Sequence, residues 1–407
     1  PHDNNIIQEV KKISSIDEVK YNGPDKNITL IGNEIDDIYL SKIYELSLSP
    51  EAIRENSGMK MVYTPIHGTG VELVPKVLKK FGFTDVINVP EQDVVDGNFP
   101  TVISPNPEES AALKMALEKA NQTGAELVMA TDPDADRVGI AVRDLSNEFI
   151  ILNGNQTGSL LVYYLLTRWA ELGLLKGKEY VCKTIVTSEL IADISNKFGV
   201  EYFDVLTGFK FIADIIKRNE GNKKFIGGGE ESYGYLAGEF VRDKDAVMSC
   251  ALIAETAAWA RSKGKSLYEL LIDIYVEFDY YKEALENVVR KGKSGAEEIQ
   301  EMMNGFRNNP PKSLGNSKIT RIHDYLSQES FDPQTGKKTY LTLPRSNVLQ
   351  FFLKDGSKIS VRPSGTEPKI KFYMSVKEPL LNKEDFSKVG KELDGKILAI
   401  KKDLGIR

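Results

Sequence analysis

Residues 131–137, Thr131-Asp132-Pro133-Asp134-Ala135-Asp136-Arg137, constrain the fold more than any other stretch of this chain. Three carboxylates alternate there, entered from the apolar run 126–130 and left through the β-prone run 138–142. Runs of that kind read as buried strands, which puts the acids at a strand end, facing a cleft. Carboxylates so close repel one another unless a cation neutralises them. Their hard oxygens suit Mg²⁺ or Ca²⁺, so Asp132, Asp134 and Asp136 are candidate metal ligands; a solvated acidic turn is the plainer alternative. An EF-hand loop starting at Asp132 would need Gly at its sixth position and Glu at its twelfth. Those positions hold Arg137 and Arg143, which excludes it. An aspartate-based phosphatase with Asp132 as nucleophile stays open, because a strand followed by DxD suits covalent phosphoryl transfer.

The flanking rhythm extends the argument. Met61-Val62-Tyr63 reads as a strand running into the glycine-bearing turn 64–70, with a helix over 71–81 ended by Gly82. Leu73 occupies the third glycine position of a dinucleotide fingerprint, so a tight βα turn is expected there, with His67 as a turn residue. Strands at 85–89, 180–186, 201–205 and 224–227 alternate with helices at 108–122, 156–172, 188–198, 209–218 and 245–262. This alternation predicts an α/β fold of two consecutive layered domains with mostly parallel sheets, 1–152 and 153–277. Residues 1–58 read as mainly helical, with Ser49-Pro50 opening one helix. Beyond about 278 the rhythm changes: 291–316 is polar and reads as partly loop, and Asp355-Gly356 signals a hairpin. Residues 369–376 alternate as a half-buried strand, and a helical stripe runs from Phe386 to Leu404. The region 278–407 is therefore expected to be a smaller α+β domain. At about 150 residues per domain, 407 residues accommodate this division.

Three further loops carry chemistry. Arg362-Pro363-Ser364-Gly365-Thr366 offers a bidentate fork, two hydroxyls and an approachable backbone, donors suited to a phosphate; a polar hairpin loop is the alternative. Gly227-Gly228-Gly229-Glu230-Glu231-Ser232 follows a strand, and its glycines are expected to clear space for a ligand whose hydroxyls Glu230 and its neighbours would hold; a flexible acidic loop is the plainer alternative. Lys244 is aimed at a phosphate, Asp243 or Asp245 caps the next helix, and Thr207-Gly208 leads into a helix whose N-terminus suits an anion. Metal, polyol and phosphate loops together point to a sugar phosphate bound in a cleft between domains. The net charge of -6 gives no reason to expect a nucleic-acid partner, and no apolar run approaches the ~20 residues of a membrane span. Cys182 and Cys250 lack CxxC or His partners and read as reduced core thiols of a cytoplasmic protein.

The stretches TDPDADR (131–137), TGFK (207–210), GEESYGYLAGEFVRDKDAV (229–247) and RPSGTEPK (362–369) resemble the α-D-phosphohexomutase family of phosphoglucomutases and phosphomannomutases. The resemblance implies an isomerase that moves a phosphoryl group between C1 and C6 of a hexose phosphate through a phosphoserine and a 1,6-bisphosphate. By that likeness Asp132, Asp134 and Asp136 would ligand Mg²⁺, and Arg137 would lie beside the phosphoserine. Thr207, Gly208, Glu230 and Ser232 would contact the sugar. Lys244, Arg362, Ser364, Gly365 and Thr366 would hold the phosphate that is not reacting. Glucose 1,6-bisphosphate would be activator and intermediate. Preference for mannose or a pentose, a sugar phosphatase, and a non-catalytic sugar-phosphate sensor remain open alternatives. The family's T-A-S-H-N-P nucleophile loop is not found; Ser104-Pro105-Asn106-Pro107 lacks its His. The chain opens at Pro1, so the resemblance implies domains two to four without the phosphoserine domain, and inactivity alone.

Overall fold

The computed structural model describes residues 2–406 except 22, 24, 291 and 366. The chain divides into two compact units, 1–41 and 42–407. The first holds helix α1 (His2–Val10), 3-10 turns at Ile16–Glu18 and Asp25–Asn27, and most of helix α2 (Asn33–Tyr44). Ile6, Ile7 and Val10 of α1 are exposed.

In the second unit, α3 (Pro50–Glu55) starts with proline in its first turn, where the missing N–H costs nothing. The first sheet runs β2-β1-β3-β4-β5, from β1 (Met61–Thr64), β2 (Val86–Asn88), β3 (Leu127–Thr131), β4 (Val138–Arg143) and β5 (Phe149–Leu152). It is parallel where α4 (Gly70–Phe81) and α5 (Ser110–Thr123) provide the crossovers, and antiparallel from β3 to β5. Val62, Val128 and Ala141 pack with Ala116 and Ala120 of α5 in one core.

After α6 (Gly154–Glu171) a second sheet runs β7-β6-β8-β9, from β6 (Glu179–Thr184), β7 (Glu201–Val205), β8 (Lys224–Gly229) and β9 (Tyr235–Ala237). Only the β8–β9 pair is antiparallel, since α7 (Leu190–Lys197) and α8 (Phe209–Asn219) supply the crossovers. Helix α9 (Ala246–Ser262) is buried from Ala246 to Ala260 and is alanine-rich, so neighbouring elements approach it from every side. It packs on α3, α4 and α6 and on β3, β4 and β9, and so joins the two layers.

Helix α10 (Leu267–Phe278) is an addition to the sequence reading, although Ser266 and Glu269 form the capping box that marks its start. The stretch 291–316 holds a long helix, α11 (Gly292–Asn308), where a partly irregular segment was expected. Its glycines and charges mask a narrow stripe: Ile299 and Met303 are buried, and Phe306 edges Phe351 and Phe372.

The third sheet is antiparallel, in the order β10-β17-β16-β15-β12-β13-β14, with β11 on β12. Its strands are β10 (Tyr280–Val289), β11 (Ser313–Leu314), β12 (Ser317–Asp324), β13 (Glu329–Phe331), β14 (Lys338–Tyr340), β15 (Leu349–Leu353), β16 (Lys358–Pro363) and β17 (Lys369–Glu378). The expected Asp-Gly hairpin joins β15 to β16, with Gly356 at φ +84°, a conformation that favours glycine. Helix α12 (Phe386–Asp403) buries Val389, Leu393, Ile397 and Ile400. Mixed α/β layers followed by a largely antiparallel region match the expected fold class.

Candidate active site

The last register pair of the β3–β4 hairpin is Thr131↔Val138, so 132–137 is its turn, with Ala135 at φ +55°. Asp132 holds the turn together: its Oδ1 accepts the N–H groups of Asp136 (3.1 Å) and Arg137 (2.9 Å). One carboxylate oxygen from each of Asp132, Asp134 and Asp136 lies within 4.8 Å of the others. Burial pushes the Asp132 pKa up to about 7; the Arg137 N–H opposes this, and the charges of Asp136 and Asp134 add to it. Oδ1 of Asp136 is buried without a hydrogen bond, although Arg137 Nε lies 3.6 Å away. Converging hard oxygens, one of them unsatisfied, fit a divalent cation.

The turn at 64–70 braces this loop from below. A Cβ on Gly68 would lie 2.5 Å from Pro133 Cα, and one on Gly70 would lie 2.4 Å from the Tyr63 hydroxyl. The Thr69 N–H donates to the Pro133 carbonyl at 2.8 Å. His67, at φ +63°, has Nδ1 on the Val94 carbonyl and Nε2 on the Thr101 hydroxyl, both at 2.8 Å. Its imidazole ties the brace together.

The β8–β9 turn abuts the same hairpin, since Val138 N–H donates to the Tyr233 carbonyl at 3.1 Å. Glu230 is buried and its Oε1 accepts the Gly208 N–H at 2.8 Å. Burial raises its pKa despite that bond. Oε2 of Glu231 accepts from the hydroxyls of Thr184 (3.0 Å) and Thr187 (3.2 Å). Thr207 and Ser232 are half-buried beside them. The glycines before Glu230 act otherwise than expected. A Cβ on Gly228 would meet the Cys182 carbonyl at 1.9 Å, on Gly229 the Gly234 carbonyl at 2.3 Å, and on Gly227 Leu165 at 2.8 Å. Neighbouring strands and a helix fill the space that the sequence reading gave to a ligand.

Asp245 caps α9 by accepting from Met248 N–H, and the Ala246 N–H donates to Ala135 O in the acidic turn. Lys244 crosses Gly234 and pairs with Asp136 Oδ2 at 2.7 Å and Asp243 at 3.2 Å. Burial alone would lower its pKa; the two carboxylates raise it. The ammonium thus serves the acidic turn in this structure. Arg137 also reaches Glu108, at 3.6 Å. Ser104 is a partner of Glu109, donating at 3.0 Å.

The 364–368 loop joins β16 to β17, with Ser364 N–H on Lys369 O and Glu367 N–H on the Ser364 hydroxyl. Arg362 lies beside the Tyr373 hydroxyl, Gly365 has open space where a Cβ would go, and Thr366 is outside the described residues. Sequence reasoning missed Lys371, the cross-strand partner of Arg362. It is half-buried; burial and then Lys369 push its pKa down, Glu231 and Glu108 oppose this, and Arg362 adds to it. The signal was available: Ile370 and Phe372 face the core, so strand alternation turns Lys371 toward the site. Glu108 left no such trace.

Residues 37–146 match the model of phosphoglucomutase/phosphomannomutase alpha/beta/alpha domain II, and residues 153–278 match that of domain III. A phosphoglucomutase of Staphylococcus aureus strain MRSA252 is 38% identical over 343 residues, 84% of this chain and 60% of its own. One from strain USA300 is 39% identical over 323 residues, 79% of this chain and 58% of its own. The chain thus spans about 60% of the length of the curated relatives it matches. The open form of Paramecium parafusin, a phosphoglucomutase, superposes with a TM-score of 0.63 at 16% identity, over 91% of this chain and 62% of its own. A phosphoglucomutase/phosphomannomutase family protein of Burkholderia thailandensis gives 0.58 at 16%, over 90% and 64%. At such identities these two speak to the fold alone. No helix among the described residues is long and apolar enough to cross a membrane. With two family models together covering more than half of its residues, the chain belongs to the phosphoglucomutase/phosphomannomutase family.

Proposed function

We propose that this chain provides the metal, sugar and distal-phosphate loops of a phosphoglucomutase-type phosphohexomutase, which interconverts hexose 1-phosphate and hexose 6-phosphate. The observation that carries the reading is the direct linkage of the acidic turn to the sugar loop, through Val138–Tyr233 and Asp136–Lys244. Phosphoryl transfer needs charge neutralisation and positioning more than covalent help from the protein. Asp132, Asp134 and Asp136 would hold Mg²⁺, which when bound neutralises charge on phosphoryl oxygens. Glu230 has one oxygen fixed by Gly208 N–H, which orients the other toward sugar hydroxyls together with Ser232 and Thr207. Arg362, Ser364, Gly365 and Thr366 hold the non-reacting phosphate, and Lys371 adds a cation at their edge. Arg137 stands beside the transferring group.

The phosphoryl group passes from a serine to the free hydroxyl of the sugar, giving glucose 1,6-bisphosphate. After reorientation the other phosphate returns to the serine. The 407 residues contain no T-A-S-H-N-P loop, and Ser104 is a hydrogen-bonding partner of Glu109. The chain alone is therefore expected to bind and not to turn over. The relatives' names favour glucose over mannose or a pentose. The test is a coupled glucose 1-phosphate assay with Mg²⁺ and a trace of glucose 1,6-bisphosphate, on this chain and on a longer protein in which a relative's phosphoserine domain is joined to it. Activity confined to the longer protein supports the reading. Turnover by the short chain that Asp132→Asn abolishes would overturn its inactivity, and release of inorganic phosphate would favour the phosphatase. Binding without turnover in both proteins would favour a sensor. An Mg²⁺-induced rise in melting temperature, lost in Asp134→Asn, reports the metal separately.

A further inference from the structure

Lys358 opens β16 and has only 4% of its side chain exposed. A lysine so placed is costly unless its three protons find acceptors. They find them outside its own sheet: the carbonyls of Ile185 (2.8 Å) and Thr187 (3.1 Å), and the Glu189 carboxylate. Gln350, on the adjacent strand, donates to the same Ile185 carbonyl at 2.7 Å. Lys183 joins the same Glu189 oxygen at 2.9 Å. Burial disfavours charge on Glu189, yet the two lysines hold it well below the usual carboxylate range.

The segment gripped in this way also holds the sugar loop. Thr187 receives Lys358 on its carbonyl and donates its hydroxyl to Glu231, the neighbour of Glu230 and Ser232. Thr184 donates to the same Glu231 oxygen. On β16, positions 358, 360 and 362 share one face, so Lys358 and Arg362 stand about 13 Å apart along one strand. One end of β16 therefore carries the phosphate-loop arginine, and the other is fixed to the segment that fixes Glu231.

We propose that Lys358 is a positioning residue that sets the separation between the phosphate loop and the sugar loop, resting on the sugar-phosphate reading given above. A ligand that engages both loops depends on that separation. One that engages a single loop does not.

The experiment is calorimetric titration of the 407-residue chain with glucose 1-phosphate and, separately, with inorganic phosphate. Lys358→Met is expected to weaken glucose 1-phosphate about tenfold. Inorganic phosphate should stay within about twofold. Thr187→Val, which keeps the carbonyl and removes the donor to Glu231, should act in the same direction. The double variant should lose no more than the worse single, because both act through one connection. Equal weakening of both ligands, or of neither, in folded Lys358→Met overturns the positioning role while the sugar-phosphate reading stands. If Lys358→Met does not fold, Thr187→Val decides: selective loss of glucose 1-phosphate supports the role, and no selective loss overturns it. A wild-type chain that binds neither ligand overturns the sugar-phosphate reading, and the proposal with it.

Discussion

Between β3 and β4, residues 132–137 turn against a wall of backbone; between β16 and β17, the 364–368 turn has open space at Gly365. The first loop leans on the 64–70 turn, on Tyr233 and on the start of α9. Among the described residues, the second is tied by bonds to its own ends and by Arg290 N–H on Pro368. A site that must hold three like charges together needs bracing in advance, because their repulsion would otherwise spread them. The 364–368 turn offers hydroxyl and backbone donors, which do not repel one another in that way.

Alanine at the glycine of each region would break or sharpen this contrast. Gly68→Ala sets a methyl 2.5 Å from Pro133 Cα and 2.7 Å from its carbonyl oxygen, neither of which is a side-chain end that can swing away. A loss of about 3 kcal/mol in denaturant unfolding is expected. Gly365→Ala meets nothing within 4 Å and should stay within about 0.5 kcal/mol. Equal losses at the two positions would mean that the regions are braced alike.

The Lys358 end of the third sheet has its own pH signature. Glu283 of β10 lines a cavity of about 130 Å³ with Glu108, Glu231, Lys358 and Ser375, and receives a 3.4 Å hydrogen bond from Ser375. Burial pushes its pKa from the ordinary 4.5 up to about 7; the hydroxyls of Ser188 and Ser375 and the charge of Lys358 only partly offset this. Between those values the folded chain keeps a proton that the unfolded chain releases. Its contribution is therefore fully present below about pH 4.5 and is lost as pH rises through about 7, a change of about 3 kcal/mol. Glu283→Gln removes this dependence. Unfolding free energies at stepped pH should show the variant gaining on the wild type across that window. A pH-independent difference would refute the assignment.

Much of this arrangement was legible in residue order. Asp132, Asp134 and Asp136 announced a charge cluster because alternation between two apolar runs leaves few other folds. Asp355-Gly356 announced its hairpin for a local reason, the positive φ at Gly356. What stayed hidden depends on distant partners. The glycines at 227–229 looked like room for a ligand, and only the sheet shows that Cys182 and Gly234 take the space. Lys358 gave no signal in residue order, since its acceptors lie about 170 residues away in sequence. Helix α11 was obscured because two buried residues in a polar stretch make a weak stripe, one that acquires meaning only against Phe351 and Phe372.

Lys371 combines a small expected effect on stability with the cleanest separation of folding from binding. It faces Arg362 across the β16–β17 ladder, with Lys369 on the same strand, and this crowding of cations works against its own charge. Lys371→Met should therefore leave unfolding free energy within about 0.5 kcal/mol, or raise it slightly as repulsion with Lys369 and Arg362 is relieved. Binding should respond in the opposite sense, because a phosphate converts that repulsion into attraction. A loss of about fivefold in glucose 1-phosphate affinity is expected, with a weaker dependence on salt than in the wild type. If Lys371→Met instead destabilised the fold and left affinity unchanged, the lysine would belong to the framework, and the cationic edge of the phosphate loop would end at Arg362.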